Sequence, residues 1–204
     1  MPLLVYLHAD RFVARSSRLI DGTPVPCSDQ AVHTQPLATL LFASAFWSLR
    51  ELGLLDMEVV ERRNVLGMFP HAEIKVAPRG RDERPGLEGS ILDNLEGEEA
   101  LRDVVCRWSG SHSTDPWHDT VHEAVSEAVA GGYLTEVKED CGALARFLWG
   151  GSHLEPDCRR IGGLGTTVER FADSWRRFQQ DTLCDRLTEQ CKKSLLACTE
   201  RWYA

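Results

Sequence analysis

From Val121 onward the apolar residues fall three and four apart: Val121, Ala124, Val125, Ala128 and Val129 share one helical face. Pro116 stands just before this run, with Asp115 or Thr114 placed to cap its first turn. Gly131 and Gly132 end the helix, because glycine enters the left-handed C-terminal conformation without a Cβ clash. Tyr133, Leu134 and Val137 then open a strand, Asp140-Cys141-Gly142 suits a turn, and Leu144 to Trp149 forms the return arm. The stretch Trp117 to Trp149 thus reads as helix, glycine, hairpin.

An earlier stretch has the same plan. Leu37 to Leu52 carries apolar residues around its whole circumference, which predicts a deeply buried helix. Gly53 stops it, Leu54 to Val60 reads as a strand, and Ala72 to Val76 as its partner. LRELGLLDMEVV parallels VAGGYLTEV in pattern more than in identity. Upstream, Leu3 to Leu7 reads as a buried strand or a short helical turn, Arg11 to Ile20 as a second strand, and Pro24 to Pro36 as a loop. Pro78 to Gly86, PRGRDERPG, is a charged, flexible loop. Helices are expected at Ser90 to Leu95 and at Glu98 to Trp108, with a short one from Glu155 to Ile161. Two more are expected, from Thr167 to Gln180 and from Leu183 to Trp202. The last two bury Val168, Phe171, Trp175 and Phe178, then Leu187, Cys191, Leu195, Cys198 and Trp202. The expected fold is mainly α with small β-hairpins: a single-domain helical bundle over residues 1–204, carrying winged-helix-like helix–hairpin units.

Charge narrows the function. The chain has a net charge of −8, and the helix after Trp117 carries Asp119, Glu123 and Glu127 with no Lys or Arg. Reading DNA needs cations for phosphates and base edges, so a nucleic-acid partner is excluded, as is a purely electrostatic membrane binder. MPLLVYLHADRF does not read as a signal peptide, and a cytoplasmic location is expected. The seven cysteines include no CxxC pair and read as small buried hydrophobes. Cys27 and Cys141 fall in loops, where a thiol is open to reaction.

Candidate chemistry is sparse. His118 and His122 lie four apart on one helical face, and His112, Asp115 or Cys106 complete a conceivable metal site. Unlike HExxH, the pair lacks an intervening Glu. RIGGLGTT, Arg160 to Thr167, offers backbone N–H groups to a phosphate but lacks the P-loop lysine, so an interhelix connection is favoured and no cofactor is expected. Cys184, Cys191 and Cys198 repeat every seven residues but share their stripe with Leu187 and Leu195, which favours core packing over thiolate ligation. Leu144, Phe147, Leu148 and Trp149 form an apolar arm beside Gly150 and Gly151: either a core strand or a hairpin tip that enters a bilayer or a partner groove.

The order ASAFWSLRELGLLDMEV, EIKVAPRGRDERPG, ILDNL, ALRDVVCRWSG, HEAVSEAVAGGYL and ALARFLWGGSHLEPD resembles the Golgi phosphoprotein 3 family of peripheral membrane proteins, over residues 37 to 175. The resemblance implies a non-enzymatic adaptor whose apolar hairpin, here Phe147, Leu148 and Trp149, enters the membrane. It places the family's headgroup-binding arginines near His118 and Val121, and its helix-starting arginine near Phe42. Its early tryptophan has no counterpart between Arg11 and Gln35. With no guanidinium at these positions, altered ligand preference is expected. Two other readings stay open: a metal protein or enzyme using His112, His118 and His122, and a winged-helix-derived interaction module that binds a protein partner or forms a homo-oligomer.

Overall fold

The computed structural model describes residues 1–16, 22–63, 70–80, 82–110, 115–138, 152–180 and 182–200. Along these the chain forms α1 (Pro2–Leu7), a 3-10 turn (Ala9–Arg11), β1 (Gly22–Pro24), β2 (Ala31–His33) and α2 (Thr34–Glu51). Next come β3 (Leu55–Arg63), β4 (Pro70–Pro78), α3 (Gly86–Asp93), β5 (Glu99–Ala100), α4 (Leu101–Gly110) and α5 (Pro116–Ala130). The remainder is β6 (Leu134–Lys138), β7 (Ser152–Pro156), α6 (Cys158–Gly162), α7 (Gly165–Phe178) and α8 (Thr182–Glu200). The architecture is mainly α, with small antiparallel sheets β1–β2, β3–β4–β5 and β6–β7.

Helix α2 is the axis. Its apolar residues leave no polar face, so α1, α3, α5 and α8 pack around it. Phe42 is fully enclosed and meets the Trp108 ring of α4 edge-on, centroids 4.8 Å apart. Helix α7 reaches α2 through large side chains: Phe171, Trp175 and Phe178 surround Trp47, with Phe178 stacked on it at 5.2 Å and Trp175 edge-on at 5.6 Å. Each such ring pair adds about 0.5–1.5 kcal/mol beyond area burial. Helix α8 buries Leu187, Cys191, Leu195 and Cys198, and burial pushes the Cys191 thiol far up, which leaves it inert.

The two helix–glycine–hairpin units end their helices in the same way. Gly53 and Gly132 both have φ +68°. Gly53 N–H donates to the Arg50 carbonyl and Leu54 N–H to Leu49, at 2.9 and 3.0 Å; Gly132 donates to Val129 and Tyr133 to Ala128, both at 2.9 Å. This is the Schellman closure, which turns the chain out of the helix into a strand. β3 and β4 pair from Leu55↔Pro78 to Arg63↔Pro70, and β6 and β7 from Leu134↔Pro156 to Lys138↔Ser152.

Of the two alternatives for Leu3 to Leu7, the short helix is the one observed. Several other expectations are corrected. The strand expected from Arg11 to Ile20 is, where described, a 3-10 turn followed by a single bridge from Arg15 to Val32. The loop expected from Pro24 to Pro36 contains β2, whose three residues pair with β1, and the start of α2. Glu99–Ala100 joins β4 as an edge strand rather than opening a helix, and Glu155–Pro156 completes β7. Residues 79–80 and 82–85 are loop, as expected, with ion pairs from Arg79 to Asp56 of β3 and from Arg84 to Glu88 of α3. Cys27 is bridged to Cys158, Cα atoms 5.5 Å apart, instead of standing as a lone loop thiol.

Candidate functional site

The β6–β7 ribbon begins at a locked base. Leu134 is buried against α5, and Asp157 N–H donates to the Tyr133 carbonyl at 2.9 Å. The Asp157 carboxylate caps α6 by accepting from Arg160 N–H at 2.9 Å, and the Arg160 guanidinium lies over the Tyr133 ring, 4.9 Å from its centroid. The Cys27–Cys158 disulfide ties the start of α6 to the β1–β2 turn. Beyond this base the described side chains of the arms are mostly exposed. Val137 is half-buried, His153 and Glu155 are exposed, and Leu154 is 41% exposed. Residues 139–151 connect the two strands, so the apolar Leu144, Phe147, Leu148 and Trp149 belong to a sequence that follows an exposed ladder. These four, and the expected turn at Asp140-Cys141-Gly142, lie outside the described residues.

The histidines sit elsewhere, on α5. Asp115 Oδ1 accepts from the N–H groups of Trp117 and His118 at 3.1 and 3.2 Å, and Asp115 Oδ2 stands 2.8 Å from His118 Nδ1. The carboxylate is therefore committed to capping the helix, where it satisfies open donors and meets the positive end of the helix dipole. His118 and His122 share an exposed face, while His112 lies outside the described residues. Among the described residues no three His, Cys, Asp or Glu side chains are placed to hold a metal ion. The positions that the family resemblance assigns to a headgroup site also separate: His118 faces solvent, Val121 packs into the core, and Phe42 is sealed behind Trp108. RIGGLGTT forms the end of α6 and the start of α7, a tight interhelix connection.

Two groupings escaped the sequence reading. On the α3 side, buried Glu88 meets the Met1 ammonium at 2.8 Å and Arg84 at 3.1 Å. Burial alone would push its carboxyl up, but the ammonium, a Ser48 hydrogen bond and Arg84 together hold it below the ordinary carboxylate range. Glu127 of α5 goes the other way. Burial raises it, the ammonium offsets part of that, and the like charges of Glu88 and Glu123 add to the rise. The i, i+4 spacing of Arg84 and Glu88 was a readable signal; the approach of Glu127 from α5 was not.

The second grouping is a cleft of about 520 Å³ between β4, α4 and α8. It is lined by Glu73, Arg102, Arg186, Gln190, Lys193 and Ser194, among others. Gln190 pins its floor: its Oε1 accepts from Ile74 N–H at 2.9 Å, and its Nε2 donates to the Ala72 carbonyl at 2.8 Å. A side-chain amide thereby extends the sheet edge past the point where β5 ends. The α8 lining residues recur at helical spacing, so this polar stripe was visible in sequence, but its partner strand was not.

No protein-family model, no curated protein and no solved structure matches this chain.

Proposed function

We propose that this chain is a non-enzymatic peripheral-membrane or adaptor protein of the kind represented by the Golgi phosphoprotein 3 family. In this reading the β6–β7 ribbon carries Leu144, Phe147, Leu148 and Trp149 into a lipid surface or a partner groove. The observation that carries the reading is the contrast between a locked ribbon base and exposed arms, which precede a strongly apolar connection. A core strand would need its arms covered, and of β6 only Leu134 is buried among the described side chains. Aromatic side chains at such a position bring large apolar area to an interface with few rotatable bonds. One further observation supports altered ligand preference: Val121 and Phe42 are buried and apolar, so neither offers a charge-assisted donor to a phosphate group. No helix of the described residues is long and apolar enough to cross a membrane.

The test is co-sedimentation with neutral, anionic and phosphoinositide-containing vesicles, using the wild type and a Phe147→Ser/Trp149→Ser double variant. Wild type should bind neutral and phosphoinositide vesicles about equally, and the variant should lose at least tenfold. Dependence on phosphoinositide would place headgroup donors where this reading has none. No binding to any vesicle would sink the membrane reading and favour the interaction-module alternative, with a protein partner or a second copy of the chain.

A further inference from the structure

Cys106 lies on α4 and Cys198 on the last turns of α8, 92 residues apart in sequence, with their sulfur atoms 2.7 Å apart. A bonded pair stands at about 2.05 Å, so closing this gap needs less than an ångström of movement. The access is unequal: Cys106 is half-buried and Cys198 buried. Cys184 and Cys191 of the same helix are both buried, and the Cys191 thiol is held protonated by its apolar surroundings. The same chain already carries one cross-link, Cys27–Cys158.

We propose that Cys106 and Cys198 form a redox site whose co-reactant is a low-molecular-weight disulfide, and whose product is a covalent staple between α4 and α8. The Cys106 thiolate attacks one sulfur of the small disulfide, forming a mixed disulfide and releasing the first small thiolate, which takes up the proton lost by Cys106. The Cys198 thiolate then attacks the Cys106 sulfur and expels the second small thiolate, which takes up the proton from Cys198. Two protein thiols are oxidised by two electrons and one small disulfide is reduced to two thiols, so atoms and electrons balance. The order follows from access, because only Cys106 is reachable from solvent at the outset.

The staple has a defined structural effect. Gln190 already pins the middle of α8 to β4. A Cys106–Cys198 bond pins its far end to α4, one turn from Arg102 and beside Ala197, both of which line the cleft between these helices. Oxidation therefore adds a covalent tie between the cleft walls near the end of α8. Closing so long a loop restricts the unfolded chain strongly, so the oxidised form should be the more stable one.

The full-length chain is incubated with oxidised glutathione, alkylated, digested with trypsin without reduction and analysed by mass spectrometry. Cleavage after Arg102, Arg107, Lys193 and Arg201 places Cys106 in DVVCR and Cys198 in SLLACTER, while Cys184 and Cys191 fall in separate peptides. The expected result is a DVVCR–SLLACTER cross-link that forms in wild type and is absent in Cys106→Ser. A second measurement uses a Cys27→Ser/Cys158→Ser background: oxidation should raise Tm there by several degrees. If that variant does not fold, the peptide map of the wild type decides alone. Glutathione adducts on Cys106 without the cross-link, or cross-links from Cys106 to Cys184 or Cys191, would overturn the proposal.

Discussion

The units α2–Gly53–β3–β4 and α5–Gly132–β6–β7 close their helices with the same pair of hydrogen bonds around the same glycine conformation, yet they occupy opposite places in the molecule. In the first, the helix is buried on all sides and its hairpin is covered by β5 and by the Gln190 amide, with Ile74 and Val76 inside. In the second, the helix buries one face and the hairpin keeps only Leu134 in the core among its described side chains. Local sequence sets where a helix stops and a hairpin starts. What decides whether that hairpin becomes scaffold or projection is which other elements arrive to cover it, and those come from distant sequence.

The contrast is broken most severely from the first unit. Phe42→Ala should cost about 3–5 kcal/mol, because an enclosed ring is lost and Trp108 loses its partner. Leu154→Ser on the exposed arm should stay within about 0.5 kcal/mol. Urea denaturation of both variants measures the gap; comparable losses would mean that the ribbon is part of the core. The shared closure gives a smaller, matched effect. Gly53→Ala and Gly132→Ala should each cost about 1–2 kcal/mol, because both force a Cβ into the left-handed region. At Gly132 the new Cβ meets only the flexible end of Arg160, so the two costs should agree within about 1 kcal/mol. A larger difference would show that the two closures are not equivalent.

The smallest effect is in pH dependence. The folded state holds Glu127 above its ordinary value, so it binds the proton more tightly than the unfolded chain does. The stability that this supplies is complete below the ordinary carboxylate range and is lost as pH rises through the raised value. Glu127→Gln should therefore gain one or two degrees in Tm over wild type at pH 7 and nothing at pH 4. Glu88 has the opposite sign: held low, it stabilises above the ordinary carboxylate range and loses this as pH falls through its folded value. Glu88→Gln should lower Tm at pH 7. Thermal melts at the two pH values check both signs.

Much of this was readable in the chain. The helices of 34–51, 116–130, 165–178 and 182–200 follow from period and from glycine placement, and their buried stripes match Phe42, Ala124, Phe171 and Leu187. Short strands were harder. Ala31–His33 and Glu99–Ala100 are too brief to show a period, and each exists because a neighbour offers a free edge. The candidate site was only half readable. The apolar sequence from Leu144 to Trp149 stands out by composition, but nothing local shows that the strands leading to it are exposed. The Cys27–Cys158 pairing spans 131 residues and has no local signature, and neither has the meeting of Cys106 with Cys198.

The most direct test replaces residues 139–151 with a short Asn-Gly turn, a connection suited to joining two antiparallel strands. Thermal stability and vesicle binding are then measured on the same protein. If the ribbon is a projection that carries the contact residues, Tm should stay within about two degrees of wild type, given the sub-kcal/mol cost of changes outside the core, and vesicle binding should be lost. A chain that fails to fold or melts many degrees lower, or one that binds vesicles as before, would contradict the account.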